Sequence, residues 1–447
     1  MALQIILKTA QHFNWIALGA AVQHPEQGKI IDISQAVNEE IKISDASVRI
    51  IPFSGYGDEN VIRQLLTMER PDAIMLFTDP RYFYHLFMME AEIRKLCPLI
   101  YYNIWDNLPY PTYNKPYYES CDALLAISRQ THNINKVVLG ENSIATKLST
   151  DSLDMFEKPY CSYLPHGVDH NTFYKLSTEE ELKKVADLRK RLYGEDDIDF
   201  VLLYDNRNIR RKAAPNLILG FREFLLKLPK EKADKCRLLF HTPPIDDNGT
   251  NLLAVLKECA PEIKYVFYSD VVPPPELNVL YNSVDGVVNV ANAEGWGLSE
   301  TIALMTERMS IANVTGGLQD QMGFKNDEGK YLSVEDYTED WGSNHDGKYK
   351  TSGEWIIPIF PNNFELIGSP PTPFIFNDQI DYRELGDKIL ELYNIPSEER
   401  DRRGKLGREF ALEQGFTAEI MGQRFIDELE LLFKNWKAPK RYHLYAA

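Results

Sequence analysis

Short apolar runs alternate with amphipathic stretches along most of this chain, and this alternation limits the folds open to it. Over the first 130 residues, six such runs predict strands, at residues 3–7, 29–33, 48–53, 73–77, 98–104 and 123–127. Buried strands that alternate with helices are typical of a parallel sheet covered on both faces. The pattern therefore predicts an α/β fold that opens with a doubly wound, Rossmann-like domain.

A second series of apolar runs predicts a second domain of the same kind. Its strands fall at residues 199–204, 237–241, 264–268, 286–290 and 309–314. Between the first two, Leu217, Phe221, Phe224 and Leu225 are spaced as one face of a helix. We expect the two domains to face a central cleft, because ligands of open α/β sheets bind beyond the carboxyl ends of the strands.

The remaining segments set the predicted boundaries. We assign residues 1–190 to the first domain with a helical linker, and residues 191–415 to the second. Residues of about 322–372 are rich in Gly, Asn, Asp, Trp and Pro, which predicts an inserted loop or hairpin. Residues 416–447 carry apolar side chains at helical spacing, and this predicts a C-terminal helix that crosses back to the first domain.

Composition excludes several classes of function. The chain has 447 residues, too many for one core, and a net charge of −17, which disfavours nucleic acid as a partner. It contains no run of about 18 apolar residues, so we expect no integral membrane segment. Five cysteines without a CxxC motif, and no secretion signal at the N-terminus, predict reduced thiols and a cytoplasmic location.

The segment YDNRNIRRK, residues 204–212, follows a predicted strand and precedes a predicted helix. Free N–H groups and the positive end of the helix dipole favour anions at such a position. Arginine and lysine side chains there would neutralise a diphosphate. The alternative is a solvated basic loop without a ligand.

The segment NAEGWGLSETIALM, residues 292–305, follows another predicted strand. Gly295 and Gly297 would let the backbone approach a ligand closely, and the Glu294 carboxylate could accept hydrogen bonds from sugar hydroxyls. An ordinary βα turn is the alternative. The same two interpretations apply to VTGG at residues 314–317.

Four further residues have both a functional and a structural interpretation. Trp105 is a core residue or a platform for a substrate, and Asp106 is a loop carboxylate or a cleft residue. Asp79 follows a predicted strand and lines a substrate cleft or forms a turn. His166 is catalytic or a turn histidine. One His and one Asp within residues 344–350 do not complete a set of metal ligands, so we predict no metal site.

In their order and spacing, these segments resemble glycosyltransferase family 4 of the GT-B superfamily over residues of about 120–320. The matching positions are His166–Asp169 with Phe173, Arg207 with Lys212, Glu276-Leu277 with Leu280-Tyr281 and Asp285, Glu294–Leu298, and Gly316-Gly317. The resemblance implies a GT-B fold of two Rossmann-like domains.

The resemblance also implies roles for residues in this sequence. Arg207 and Lys212 would bind the donor diphosphate and stabilise the leaving group without a metal, and Glu294 would hold the donor sugar. The catalytic candidates are Glu294, Arg207, Lys212 and Asp106. The donor-binding candidates are Arg207, Lys212, Glu294, Gly295, Trp296, Gly297, Leu298 and Ile302. Trp105, Asp79 and His166 are candidates on the acceptor side.

Two departures from the family pattern bear on function. The second glutamate of the family is Ile302 here, and Glu300 lies about 200° away around a helix. The family's first Gly-rich loop also has no counterpart in LQIILKTAQHFNW, which we interpret as a strand followed by a helix.

The resemblance thus implies a retaining, metal-independent hexosyltransferase. It would use a UDP- or GDP-sugar donor, no cofactor, and an acceptor that is a saccharide, a lipid or a protein glycan. Two alternatives stay open: a non-catalytic sugar-nucleotide-binding or scaffold protein on the same fold, and a GT-B sugar-nucleotide epimerase. The sequence predicts no oligomeric state.

Overall fold

The computed structural model describes residues 2–19, 24–140, 143–145, 159–194 and 197–439. The chain forms two compact units. Unit 1 holds the described residues of positions 1–105, 110–166 and 418 onward, and unit 2 holds those of positions 106–109 and 167–417. No helix in these ranges is both long and apolar enough to cross a bilayer.

Unit 1 contains two sheets. Its strands are β1 (Trp15–Gly19), β2 (Ile31–Asp32), β3 (Val48–Pro52), β4 (Ile74–Phe77), β5 (Leu99–Asn103), β6 (Ala123–Ala126) and β7 (Tyr160–Tyr163). Strands β4 to β7 pair in that order and are all parallel. The second sheet has the order β1-β3-β2, in which β2 runs antiparallel to β3.

Unit 2 contains a six-stranded parallel sheet and a separate hairpin. Its strands are β8 (Phe200–Tyr204), β9 (Cys236–Phe240), β10 (Tyr265–Phe267), β11 (Gly286–Asn289), β12 (Ser310–Asn313), β13 (Ile356–Ile359), β14 (Asn363–Ser369) and β15 (Thr372–Gln379). The sheet order is β10-β9-β8-β11-β12-β13, and β14 and β15 form the antiparallel hairpin. This order is that of a Rossmann fold, whose topological switch point lies between β8 and β11.

Helices connect the strands in both units. They are α1 (Ala2–Thr9), α2 (Ser34–Ile41), α3 (Glu59–Met68), α4 (Tyr84–Met88), α5 (Glu90–Ile93), α6 (Lys115–Glu119), α7 (Arg129–Leu139), α8 (Glu179–Tyr193), α9 (Ala214–Leu226), α10 (Lys230–Ala233), α11 (Leu252–Cys259), α12 (Pro274–Asn282), α13 (Leu298–Met305), α14 (Tyr382–Asn394), α15 (Ser397–Glu413) and α16 (Ala418–Asn435). Helices α1 to α7 and α16 belong to unit 1, and α8 to α15 belong to unit 2.

The core of unit 2 lies between the sheet and helices α9, α11 and α14. Alternate residues of β8, such as Leu202, face this core together with Leu217 and Phe221 of α9, and all three side chains are fully buried. The helical spacing of the apolar residues in 217–225 is therefore confirmed. Helices α9 and α14 can approach closely because Gly220 has no side chain. A Cβ atom at this position would lie only 2.7 Å from the Leu385 side chain.

The prediction of a strand at residues 3–7 is wrong. These residues lie in α1. The buried side of this helix consists of Ile5, Ile6 and Thr9, and α1 packs against α16. A short apolar run cannot be assigned to a strand or a helix from periodicity alone. The first strand is β1, so the residues after β1, and not those after residue 7, correspond to the position of the Gly-rich loop in the family pattern. Residues 20–23, which follow β1, lie outside the described residues.

The segment between the two predicted domains lies in unit 2. Helix α8 packs against α12, and the backbone N–H of Tyr174 donates to the Asn278 side chain at 3.1 Å. The irregular stretch predicted at 322–372 contains short 3₁₀ turns, strand β13, and the β14–β15 hairpin, which extends beyond it to Gln379.

Candidate active site

The topological switch point of unit 2 brings two of the predicted segments together. The basic segment follows β8, and the Glu294 segment follows β11. Strands β8 and β11 are neighbours in the sheet and parallel, so both segments leave the same edge of it. Ligands of open α/β sheets bind at this kind of position.

Lys212 ends a 3₁₀ turn, Arg210–Lys212, that leads into α9. The next residue, Ala213, has a φ of 51°, and Pro215 occupies the first turn of the helix, where a missing N–H group costs nothing. The Lys212 ammonium forms an ion pair with the Glu294 carboxylate. Their side chains are only 9% and 10% exposed, so the two charges meet in a largely desolvated place.

The backbone of Glu294 is fixed by the loop after β12. The N–H of Gly317 donates to the Glu294 carbonyl at 2.8 Å. A Cβ atom on Gly316 would lie 2.2 Å from that carbonyl oxygen, and one on Gly317 would lie 2.1 Å from the Gly295 oxygen. In this structure the two glycines of VTGG therefore allow one loop to approach the other.

Arg211 adds a second positive charge. Its guanidinium donates to the Ala293 carbonyl at 2.6 Å and lies 3.9 Å from the Asp106 carboxylate. The Asp106 side chain is 16% exposed and the Arg211 side chain 42% exposed. The site thus combines two carboxylates and two cations, Asp106, Glu294, Arg211 and Lys212, within unit 2.

Burial and charge act in opposite directions on these groups. Burial would raise the pKa of Glu294, but the Lys212 and Arg211 charges outweigh it and hold this pKa below its ordinary value. Burial raises the pKa of Asp106, and the nearby Arg211 guanidinium only partly offsets that effect. Burial, with the Arg211 charge beside it, lowers the pKa of Lys212.

Arg207 occupies a different environment. Its side chain is 62% exposed, and its Nε donates to Asp246 at 2.7 Å, in the loop after β9. This hydrogen bond is the main reason that the pKa of Asp246 lies below its ordinary value. Of the predicted pair of phosphate-binding cations, only Lys212 therefore lies beside Glu294, and Arg211, which belongs to the same basic segment, is the second cation there.

Other predicted donor residues have side chains in the interior. The Trp296 indole is 2% exposed and donates to the Thr301 hydroxyl at 2.9 Å. The φ of Gly297 is 89°, and α13 begins at Leu298, directly after it. Ile302 is 7% exposed. A contact from residues 295–298 to a ligand would therefore come from their backbone N–H groups at the start of α13.

Glu300 does not take the position that the second glutamate has in the family pattern. Its carboxylate is fully buried and accepts a hydrogen bond from the Ser310 hydroxyl at 2.5 Å, at the start of β12. Burial raises the pKa of Glu300 to about 7.

The acceptor-side candidates lie in unit 1. Trp105 is 8% exposed, and its ring packs edge-on against Tyr113 at 5.9 Å. Asp79 accepts from Arg81 Nε at 2.9 Å. His166 is fully buried, with Nε2 3.1 Å from the Gln4 side-chain oxygen, and burial lowers its pKa to about 3. The His166 imidazole is therefore neutral at physiological pH.

Sequence reasoning missed two residues near this site. Arg211 could have been found, because it lies in the basic segment directly before Lys212. Asp378 gave no signal, because it lies on β15 in the stretch beyond the predicted insertion. Its side chain is 1% exposed, and its backbone N–H donates to the Asn292 carbonyl at 2.9 Å.

Comparisons with known proteins find likeness in structure alone. No protein-family model and no curated protein matches the sequence. The structure is similar to that of Anabaena Alr3699/HepE, solved with UDP and glucose, with a TM-score of 0.57, 12% identity, and coverage of 96% of this chain and 94% of that one. It is also similar to a glycosyltransferase from Rickettsia africae, with a TM-score of 0.60, 12% identity, and coverage of 97% and 95%.

A third similar structure is an α,α-trehalose-phosphate synthase (UDP-forming) from Burkholderia xenovorans, solved with glucose-6-phosphate. Its TM-score is 0.58, its identity 12%, and the coverage is 96% of this chain and 95% of that one. At such identities the likeness shows the fold. The chain is an α/β protein with two Rossmann-like units of the GT-B type, and the predicted fold class is confirmed.

Proposed function

We propose that this protein is a glycosyltransferase that transfers a hexosyl group from a UDP-sugar to an acceptor. We place it in glycosyltransferase family 4, with retention of anomeric configuration, no metal, and a cytoplasmic location. The acceptor is a saccharide, a lipid or a protein glycan.

The observation that carries this proposal is the buried Lys212–Glu294 pair at the switch point of unit 2, with Arg211 and Asp106 beside it. A diphosphate leaving group needs positive charge that is already in place, and the buried Lys212 and the partly exposed Arg211 supply it. A sugar needs hydrogen-bond acceptors, and the Glu294 carboxylate is kept ionised by the same two cations.

The choice of a UDP-sugar rests on the proteins of similar fold. HepE is solved with UDP and glucose, and in another crystal with UDP-glucose. The trehalose-phosphate synthase is described as UDP-forming.

Calorimetry with UDP-glucose and with GDP-mannose tests the donor site. We expect the wild type to bind the UDP-sugar, and Lys212→Met and Arg211→Met to weaken binding at least tenfold, since each removes a phosphate-binding charge. Arg207→Ala should weaken binding less, because its guanidinium is exposed and already paired with Asp246.

Arg222→Ala is the matched control. This arginine lies on α9, in the same unit, and forms a partly exposed ion pair with Glu262. The donor-site assignment fails if Lys212→Met, Arg211→Met and Arg222→Ala all bind the UDP-sugar as the wild type does. Product analysis without an added acceptor separates transfer from epimerisation, because only an epimerase would give an epimer of the donor sugar.

A further inference from the structure

The β14–β15 hairpin contacts three segments of the candidate active site. Two hydrogen bonds join Phe376 of β15 to the segment that begins with Asp106. The N–H of Phe376 donates to the Leu108 carbonyl at 2.6 Å, and the Asn107 side chain donates to the Phe376 carbonyl at 2.8 Å. The hairpin, which the sequence suggests to be an insertion, is thus bonded to the chain beside the site.

Asp378, two residues further along β15, contacts the other two segments. Its N–H donates to the carbonyl of Asn292, two residues before Glu294. Its carbonyl accepts from Asn313 Nδ2 at 2.9 Å, and the same Nδ2 donates to the Ala291 carbonyl at 2.8 Å. The backbone of Asp378 is therefore fixed between the loops that follow β11 and β12.

The Asp378 carboxylate is held by two hydroxyl donors. Thr315, directly before Gly316, donates to Oδ2 at 2.6 Å, and Ser343 donates to Oδ1, also at 2.6 Å. The side chain is 1% exposed, so water does not replace these bonds when one is lost. Burial of a carboxylate destabilises the folded state. This one lies where it joins Thr315, in the loop after β12, to the hairpin.

We propose that Asp378 is a positioning residue for the donor site, which fixes the Gly316–Gly317 loop and, through it, the backbone of Glu294. The expected effect on kcat rests on the proposed function, whereas the expected effect on the loop does not. The link to Glu294 is direct, because the Gly317 N–H donates to the Glu294 carbonyl.

The proposed role requires the ionised form of Asp378. Burial raises the pKa of this carboxyl to about 6, and the Asp106 and Asp346 carboxylates, in the 106–109 segment and the His345–Gly347 turn, add to the rise. The Thr315 and Ser343 hydroxyls oppose it by donating to the ionised form. Below about pH 6 the carboxyl is mostly protonated, and the oxygen that carries the proton is a weaker acceptor for the hydroxyl that donates to it.

Activity and stability should then change in opposite directions with pH. Because the folded pKa lies above the ordinary value of 3.8, this group destabilises the fold as pH rises through 6. If Asp378 contributed to stability alone, protonation of its carboxyl would lower neither the stability nor the activity of the protein. As a positioning residue, it should give kcat an acid limb near pH 6 while stability at that pH improves.

The test compares Asp378→Asn with Asp285→Asn by kinetics with a UDP-sugar at pH 5 to 8. Asp285 is a matched control, because its carboxylate also accepts two bonds, from the Val201 N–H and from Arg400, at the opposite edge of the sheet. We expect Asp378→Asn to lower kcat about tenfold or more, with little change in KM, and to remove the acid limb. Asp285→Asn should keep both kcat and the limb.

Hydrogen exchange gives a readout that needs no activity. In Asp378→Asn, the amides of residues 292–297 and 315–318 should exchange faster than in the wild type, and Ser343→Ala should show a smaller increase. Unchanged exchange in both variants overturns the positioning role, as does an unchanged kcat and pH profile in an active enzyme. A wild type that neither binds nor turns over any UDP-sugar refutes the proposed function, and the exchange experiment still decides the role of Asp378.

Discussion

Lys212 and Glu294 lie 82 positions apart in the sequence, and their side chains form an ion pair that is about nine-tenths buried. Each is the predicted ligand-binding group of its own loop. In this structure each therefore pairs with the other. A donor that places its diphosphate on Lys212 and its sugar on Glu294 has to replace this pair with contacts of its own.

The pair should matter for stability because it is desolvated. Lys212→Ala leaves the Glu294 carboxylate buried with Arg211 as the cation nearby, and we expect a loss of about 3 kcal/mol in the free energy of unfolding. The Lys212→Ala/Glu294→Ala double variant should lose less than the sum of the single changes. Urea denaturation measures both. Lys227→Ala is the control: it breaks an exposed pair with Asp387 and should lower the free energy of unfolding by at most about 0.5 kcal/mol. If the loss in the double variant equals the sum of the losses in the two single variants, Lys212 and Glu294 are not coupled.

Glu294→Gln should separate phosphate binding from sugar binding. The variant frees Lys212 from its carboxylate, so UDP alone should bind several times more tightly than to the wild type. Transfer from a UDP-sugar should fall, because the charged acceptor for the sugar hydroxyls is gone. Calorimetry with UDP and a turnover assay with the UDP-sugar measure the two effects. Weaker binding of UDP would show that the pair does not compete with the diphosphate.

Glu300 should make stability depend on pH. Its folded pKa of about 7 lies above the ordinary value of 4.5, so its contribution to stability is present below pH 4.5 and is lost as pH rises to 7. The difference amounts to about 3 kcal/mol. Glu300→Gln should lack this loss, and its Tm should exceed that of the wild type by more at pH 8 than at pH 5. Parallel Tm curves for the two proteins would contradict the assignment.

Gly317→Ala should disrupt the contact between the two loops. The new methyl group would lie 2.1 Å from the Gly295 carbonyl oxygen, so one backbone segment has to move. We expect a loss of stability of more than about 2 kcal/mol and weaker donor binding. Gly329→Ala is the control, because no atom lies within 4 Å of a Cβ atom added there. The φ of 76° at this position is strained for alanine, so the change should lower the free energy of unfolding by about 1 kcal/mol. Equal effects of the two changes would show that the close approach is unimportant.

Ile302→Glu tests whether the donor ribose lies beside position 302, which the second glutamate of the glycosyltransferase family 4 pattern would occupy. Ile302 is 7% exposed, so an unpaired carboxylate there should destabilise the free protein by a few kcal/mol. If the donor ribose lies beside this position, UDP-sugar should restore more Tm to this variant than to Ile302→Met. Equal stabilisation of both variants would place the ribose elsewhere.

The sequence by itself determined the α/β class, most strands, and the two loops that carry the candidate site. This was possible because local patterns encode these features: apolar runs mark buried strands, and a basic segment or a glycine pair after a strand marks a loop at the sheet edge. The failure at residues 3–7 has the same origin, since a five-residue run with four apolar side chains fits either a helix or a strand.

Only the tertiary structure decided which of these residues meet. Strand order places β8 beside β11, and this pairing joins Lys212 to Glu294 and leaves Arg207 paired with Asp246. It also decided that Asp378 lies against both site loops, 86 positions after Asn292 in the chain. Such contacts join distant segments through burial and hydrogen-bond geometry, and no local pattern in the sequence records them.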